Sequence, residues 1–142
     1  MADSSNPSVT VTVREADPAL VSYTNVIYAL HSLSVLIALT SAVTIVGSFV
    51  FGVPSIVAVI MNYVRQAEAR GTFLESHFRW QIRTFWFAAL WGLIVVALSL
   101  PLMLLLVGFA TLPGGLAVLG IWVIYRVVRG WLLLRERRPV GV

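Results

Sequence analysis

Two long stretches of the chain carry no Asp, Glu, Lys or Arg: residues 18–64, a run of 47, and residues 84–125, a run of 42. A membrane-crossing helix needs about 20 predominantly apolar residues, so each stretch is long enough for two crossings. In the first, a span is expected at about 20–39, opened by Pro18, whose missing N–H costs nothing in a helix's first turn. The least hydrophobic part of the run, Thr40-Ser41-Ala42-Val43-Thr44, places a turn within Thr40–Gly47. A second span follows at about 48–63, continuing as helix to about Ala69, with Pro54 expected to bend it.

Between the two runs, Gly71 suits a helix C-cap position. Thr72-Phe73-Leu74-Glu75 fits a capping box, in which Thr72 caps a new helix and Glu75 reaches back to it. A helix is therefore expected from Phe73, running without a clear break into a third span at about 84–107, which Pro101 should kink. Thr111-Leu112-Pro113-Gly114-Gly115 reads as a turn, and a fourth span follows at about 116–134. Residues 1–17 are expected to be a flexible tail, although Ser8–Val13 alternates with a strand-like period of two, and 135–142 form a second tail.

Composition agrees with this pattern. The chain is 59% hydrophobic and 11% charged, with a mean hydropathy of +0.93, whereas an ordinary soluble domain is about 25% charged. A soluble enzyme, a disulfide scaffold and a disordered chain are excluded; the absence of cysteine also removes any thiolate site. The fold class expected is all-α: a polytopic membrane protein with four transmembrane helices in two hairpins, and a short cytoplasmic helix between spans two and three.

Charge sets the orientation. Residues 1–17 carry a net −2, 65–83 a net +2 and 126–142 a net +4, and every basic residue is Arg. The two basic segments abut hydrophobic helices, as the positive-inside rule requires. Paired crossings put both segments and both termini on the cytoplasmic face. The pI near 10.4 reflects this arrangement, and nucleic acid is not expected as a partner.

Signatures of enzymatic chemistry are lacking. Without Lys there is no phosphate-binding loop of the Gly-Lys type, and there is no HExxH, no GxSxG and no pair of carboxylates within the spans. The two histidines, His31 and His77, are 46 positions apart and are not expected to share a metal. His31 falls mid-span, where an ionisable residue is a functional candidate by default. With no acid in any span, a neutral imidazole bonded across helices to a Ser, Thr or carbonyl is the expectation. Asn25, Tyr28 and Ser32 share one helical face, read as a packing seam. Ser48-x-x-x-Gly52 and Ala88-x-x-x-Gly92 have the spacing of close helix approach. Tyr63, Trp80, Phe85, Trp86, Tyr125 and Trp131 suit an interfacial belt.

The densest polar group comprises Glu68, Arg70, Gly71, Thr72, Glu75, His77, Arg79, Trp80, Gln81 and Arg83, facing Arg126 and Arg129. One reading makes it a solvated, insertion-orienting loop. The sharper one has Glu68 or Glu75 pairing with Arg126 or Arg129 and latching the hairpins together. With the fourth span starting at Leu116, Arg126 comes about ten residues in and needs such a partner or an anionic lipid headgroup.

Tyr28–Ser34, Glu68–Trp86 (EARGTFLESHFRWQIRTFW) and Tyr125–Trp131 (YRVVRGW) resemble a family of uncharacterised small bacterial four-helix membrane proteins, distantly grouped with the chloroplast inner-envelope protein-import component. The likeness covers roughly residues 20–139. It implies four spans in a cytoplasmic membrane; it implies no activity, and the import role does not carry over. The function expected is that of a non-enzymatic accessory or scaffold without cofactors. Its expected partners are membrane lipids, including anionic headgroups, and either another membrane protein or further copies of itself. The alternative is an oligomeric transport or channel component; a membrane enzyme ranks third.

Overall fold

The computed structural model describes the backbone of residues 14–41 and 45–141, with side chains over 14–37 and 52–141. It is all-α, with helices α1 (Pro18–Ser41), α2 (Ile45–Arg65), α3 (Leu74–Leu102) and α4 (Gly108–Arg135), and a single 3-10 turn at Met103–Leu105. The most extensive packing is within the pairs α1–α2 and α3–α4, and α1 also lies against α4. Three helical segments are long and apolar enough to cross a membrane: Pro18–Ile37, Leu74–Leu105 and Gly108–Arg135; the apolar part of α2 with described side chains, Gly52–Arg65, is shorter.

Pro18 is the first residue of α1. Asp17 caps it: its carboxylate accepts the Ala19 N–H at 2.9 Å, and its carbonyl accepts the Val21 N–H. Of the turn expected within Thr40–Gly47, residues 40–41 and 45–47 are helical and 42–44 lie outside the described residues, as do the Ser8–Val13 pattern and the Ser48 side chain. The tail expectation is corrected at its inner end. Ala16 is buried, and the Arg14 N–H donates to the Gly71 carbonyl at 3.2 Å, so 14–17 are fastened to the α2–α3 link.

The helix expected from Phe73 forms the first turns of α3, which runs unbroken to Leu102 as the pattern predicts, so the link holds no separate short helix. Two further expectations are revised. Pro101 lies in the last turn of α3 and ends it rather than kinking a span. The reversal follows at once: Leu106 has a φ of 64°, and Gly108 passes so close that a Cβ there would overlap the Met103 nitrogen and the Ser99 carbonyl. Thr111–Gly115 is helix, not turn. The Pro-Gly-Gly sequence misleads because Gly115 serves packing: a Cβ at this position would lie 2.7 Å from Val95 Cγ1 on α3.

Polar and apolar side chains are distributed opposite to those of a soluble bundle. Thr24, Asn62 and His77 are fully buried, while Leu93, Leu104 and Val118 are 67%, 89% and 70% exposed. Buried side chains gather where Leu20, Ile27, Tyr28, Ala58, Leu74, Phe78, Val127 and Leu134 meet. That is the Arg-rich end of the bundle. Between Phe85 and Arg126 only Ser99 and Gly108 are buried.

Candidate functional site: the Arg-rich end

The α2–α3 link is built by local hydrogen bonding. α2 ends at Arg65, and the chain turns through 66–71 to Gly71, whose φ of +73° is the left-handed conformation that glycine adopts without penalty. The capping box is present in a shifted form. The Thr72 hydroxyl accepts the Leu74 N–H at 3.2 Å and donates to the Ala69 carbonyl at 2.8 Å. The Glu75 carboxylate reaches back one residue further than expected, accepting the Gly71 N–H at 3.0 Å.

Those same bonds remove the acids from the expected latch. Glu75 pairs with Arg79 one helical turn on, at 2.9 Å, and Glu68 pairs with Arg65 at 2.6 Å. Neither reaches Arg126 or Arg129, and Arg70 is exposed. An acid four residues before an Arg on one helix already has a near neighbour; spanning to α4 would require breaking that pair.

What joins the hairpins instead is a neutral polar column. The Tyr28 hydroxyl on α1 lies 2.9 Å from His77 Nδ1 on α3. His77 Nε2 lies 2.8 Å from the Arg138 carbonyl, which can only accept, so Nε2 carries the proton and Nδ1 accepts from Tyr28. Tyr28 fits because α4 presents Gly130: a Cβ there would overlap the phenol ring and its hydroxyl. Beside it, Trp131 Nε1 donates to Asn25 Oδ1 at 3.1 Å. The Asn25–Tyr28 face is thus a helix-packing seam, as its spacing predicts.

The C-terminal residues complete the column. The Arg138 N–H bonds the Leu133 carbonyl and the Arg137 N–H the Leu134 carbonyl, with Arg137 at a φ of 53°. This is a Schellman closure with arginine where glycine is usual. It turns the chain back across α3, where Val140 is buried and its N–H donates to Ser76 Oγ at 3.0 Å. Neither Gly130 nor Val140 stands out in the sequence; Pro139, just past the helix end, is the available signal of a turn there.

Arg126 lies beside this column. Its Nε donates to Thr84 Oγ1 at 2.7 Å, and its guanidinium carbon sits 3.6 Å from the Trp80 ring centroid and 5.1 Å from that of Trp122. Trp80 Nε1 in turn donates to the Arg126 carbonyl at 3.0 Å. Arg129 approaches the same Trp80 ring at 5.7 Å and donates to the Tyr125 hydroxyl at 3.0 Å. Arg83 lies 5.9 Å from the Phe87 ring. Because α4 begins at Gly108 rather than Leu116, Arg126 is about 27 Å along the helix at 1.5 Å per residue, not the half-way depth expected.

His31 Nδ1 lies 3.3 Å from Ser55 Oγ on α2, the cross-helix bond to a serine that was expected. Next to it is a small cavity of about 10 Å³ lined by Tyr28, His31, Trp80, Gln81, Thr84 and Arg126, with Val127. His31 Nε2 and both amide atoms of Gln81 are buried without a hydrogen-bond partner. A space of this size is about enough for one water molecule. Among the described residues no three His, Asp or Glu side chains converge as a metal site.

Of the residues singled out in the sequence, the structure therefore brings together Trp80, Arg83, Arg126 and Arg129, with Gln81 and His31 behind them, and His77 in the column. Glu68, Arg70, Gly71, Thr72, Glu75 and Arg79 build the link. No protein-family profile matches the chain, no curated protein does, and no solved structure does.

Proposed function

We propose that this chain is an integral protein of a bacterial cytoplasmic membrane that crosses it four times with both termini in the cytoplasm. In this reading it acts as a non-enzymatic accessory or scaffold whose cytoplasmic face is its interaction surface. The observation that carries this reading is the contrast between apolar side chains exposed along α3 and α4 and polar ones buried between helices. Water would oppose that arrangement, and a hydrocarbon solvent favours it. α2, 21 residues long, has the backbone length for the fourth crossing. The family resemblance of 68–86 and 125–131 supports the same plan. The bonded knot at the Arg-rich end offers a fixed surface for a partner, whereas the opposite turn at 103–107 carries no charge.

The absence of cysteine makes the topology directly testable. Single cysteines at exposed Glu15, Arg70 and Arg137 should be shielded from a membrane-impermeant maleimide in intact cells, and one at Leu105 should be labelled. Labelling at Arg70 from outside would overturn the orientation. Crosslinking with affinity capture from native membranes then identifies what the cytoplasmic face touches.

A further inference from the structure

Arg83, Arg126 and Arg129 form a group of cations that no acid among the described residues pairs with. Among the described residues the ion pairs are Arg65–Glu68, Arg79–Glu75 and Arg138–Glu136, so the carboxylates of the α2–α3 link are engaged elsewhere. The charges of Arg83 and Arg129 both bear on Arg126. A partly buried guanidinium among like charges is costly unless something of opposite sign compensates it. Stacking on Trp80 and the bond to Thr84 hold the Arg126 group in place but supply no negative charge.

The geometry is that of a cradle. The Trp80 ring fixes the plane of Arg126, and its Nε is spent on Thr84, which leaves the two terminal nitrogens to point elsewhere. Arg129, one turn further along α4, approaches the same ring and uses one nitrogen on Tyr125. Two guanidinium groups beside one aromatic plate can each offer paired N–H donors, the arrangement that suits the two free oxygens of a phosphodiester.

Depth and surroundings specify the source. Arg83 lies 19 residues before the end of α3 and Arg126 18 residues after the start of α4, each about 27–29 Å from the hairpin turn at 1.5 Å per residue. A hydrocarbon core is about 30 Å thick. With the turn at one interface, the cluster stands at the other, at headgroup level. Trp86, Phe87, Tyr125 and Val128 around it are exposed, a surface for acyl chains rather than for a soluble ligand.

We infer that Arg83, Arg126 and Arg129, arranged about Trp80, form a binding site for the phosphodiester headgroup of an anionic phospholipid. The inference rests on the membrane reading above and adds a ligand class to its cytoplasmic face.

The test is native mass spectrometry of the full chain in neutral detergent, titrated with phosphatidylglycerol or with phosphatidylcholine. One phosphatidylglycerol should be retained in preference to phosphatidylcholine. Arg129→Gln and Arg83→Gln, at exposed positions, should each weaken that retention about tenfold, the loss of one charge-assisted contact. Arg126→Lys, which keeps the charge but not the planar fork, should weaken it as well. Arg79→Gln, on a guanidinium already paired with Glu75, should leave it unchanged. Equal retention of the two lipids overturns the site. So does an effect of Arg79→Gln as large as that of Arg129→Gln, which would mark diffuse attraction. Displacement of the lipid by millimolar inorganic phosphate would assign the cradle to a free anion instead. Failure of the membrane reading is separable: the chain would then leave membranes on carbonate washing, whichever lipid it binds in detergent.

Discussion

The two ends of the α3–α4 hairpin are made of the same helices and obey different rules. At the Arg-rich end, Tyr28, His77, Phe78, Val127 and Leu134 are buried, and side-chain hydrogen bonds tie α1, α3 and the C-terminal residues together. At the turn end, the described contacts are those between α3 and α4. Their close approach there uses Gly108 and Gly115 and one side-chain bond, Thr111 to Ser99 at 3.2 Å. Hydrogen bonds and shape hold the first region; the second relies on the solvent around it being apolar. In hydrocarbon, helices gain nothing by hiding leucines from one another, so small residues and polar contacts decide packing.

Placing a charge in the apolar region has the largest expected effect. Val118, 70% exposed, lies ten residues into α4, near the middle of a crossing. Val118→Arg should cost about 3 kcal/mol on insertion, read as the inserted fraction in a membrane-insertion assay. Arg126, eight residues on in the same helix, stacks on Trp80, and in the proposed four-span arrangement it stands at the interface, where an Arg costs less. Equal insertion of wild type and variant would mean that this face of α4 does not meet lipid.

A smaller effect separates shape from solvent. Gly130→Val should push Tyr28 off His77 and cost about 2 kcal/mol by overpacking, lowering the midpoint of thermal unfolding in detergent. Gly120→Val, where nothing lies within 4 Å of an added Cβ, should leave the midpoint nearly unchanged. If the two variants unfold alike, Gly130 is not the seat of Tyr28.

The smallest effect lies in the link. Gly71→Ala meets no atom within 4 Å, so its cost of about 1 kcal/mol is that of the left-handed backbone alone. It should appear as faster proteolysis at 66–72 with the bundle otherwise intact. Unchanged proteolysis would show that the positive φ is not required there.

Much of the candidate site was legible as a list and not as an arrangement. The i, i+4 spacing of Glu75 and Arg79 predicts their pairing, but the sharper reading sent Glu75 across to α4, because a sequence cannot rank a local partner against a distant one. Thr72 and Glu75 marked the start of a helix to within a residue. The Thr111–Gly115 turn was misplaced because Pro and Gly act as breakers in water, whereas between helices in close contact Gly is a spacer. His31 bonded to Ser55 is the expected neutral reading, since no acid in the spans offered any other.

Read along the chain alone, the residues already specify an all-α fold with helices fit to cross a membrane, and charges gathered in the segments that flank two uncharged runs. In hydrocarbon a run satisfies its own backbone groups by forming helix, and the uncharged runs of 47 and 42 residues are long enough to do so. Which polar groups meet is set by how the helices pack: Tyr28 with His77 across 49 positions, Trp131 with Asn25 across 106, and Arg126 with Trp80 and Thr84 instead of with an acid. The physical reason is range. Backbone hydrogen bonding and transfer from water act residue by residue and can be read along the chain. The partner of a buried polar group depends on the helix facing it, and here the absent side chain of Gly130 sets how closely that helix comes.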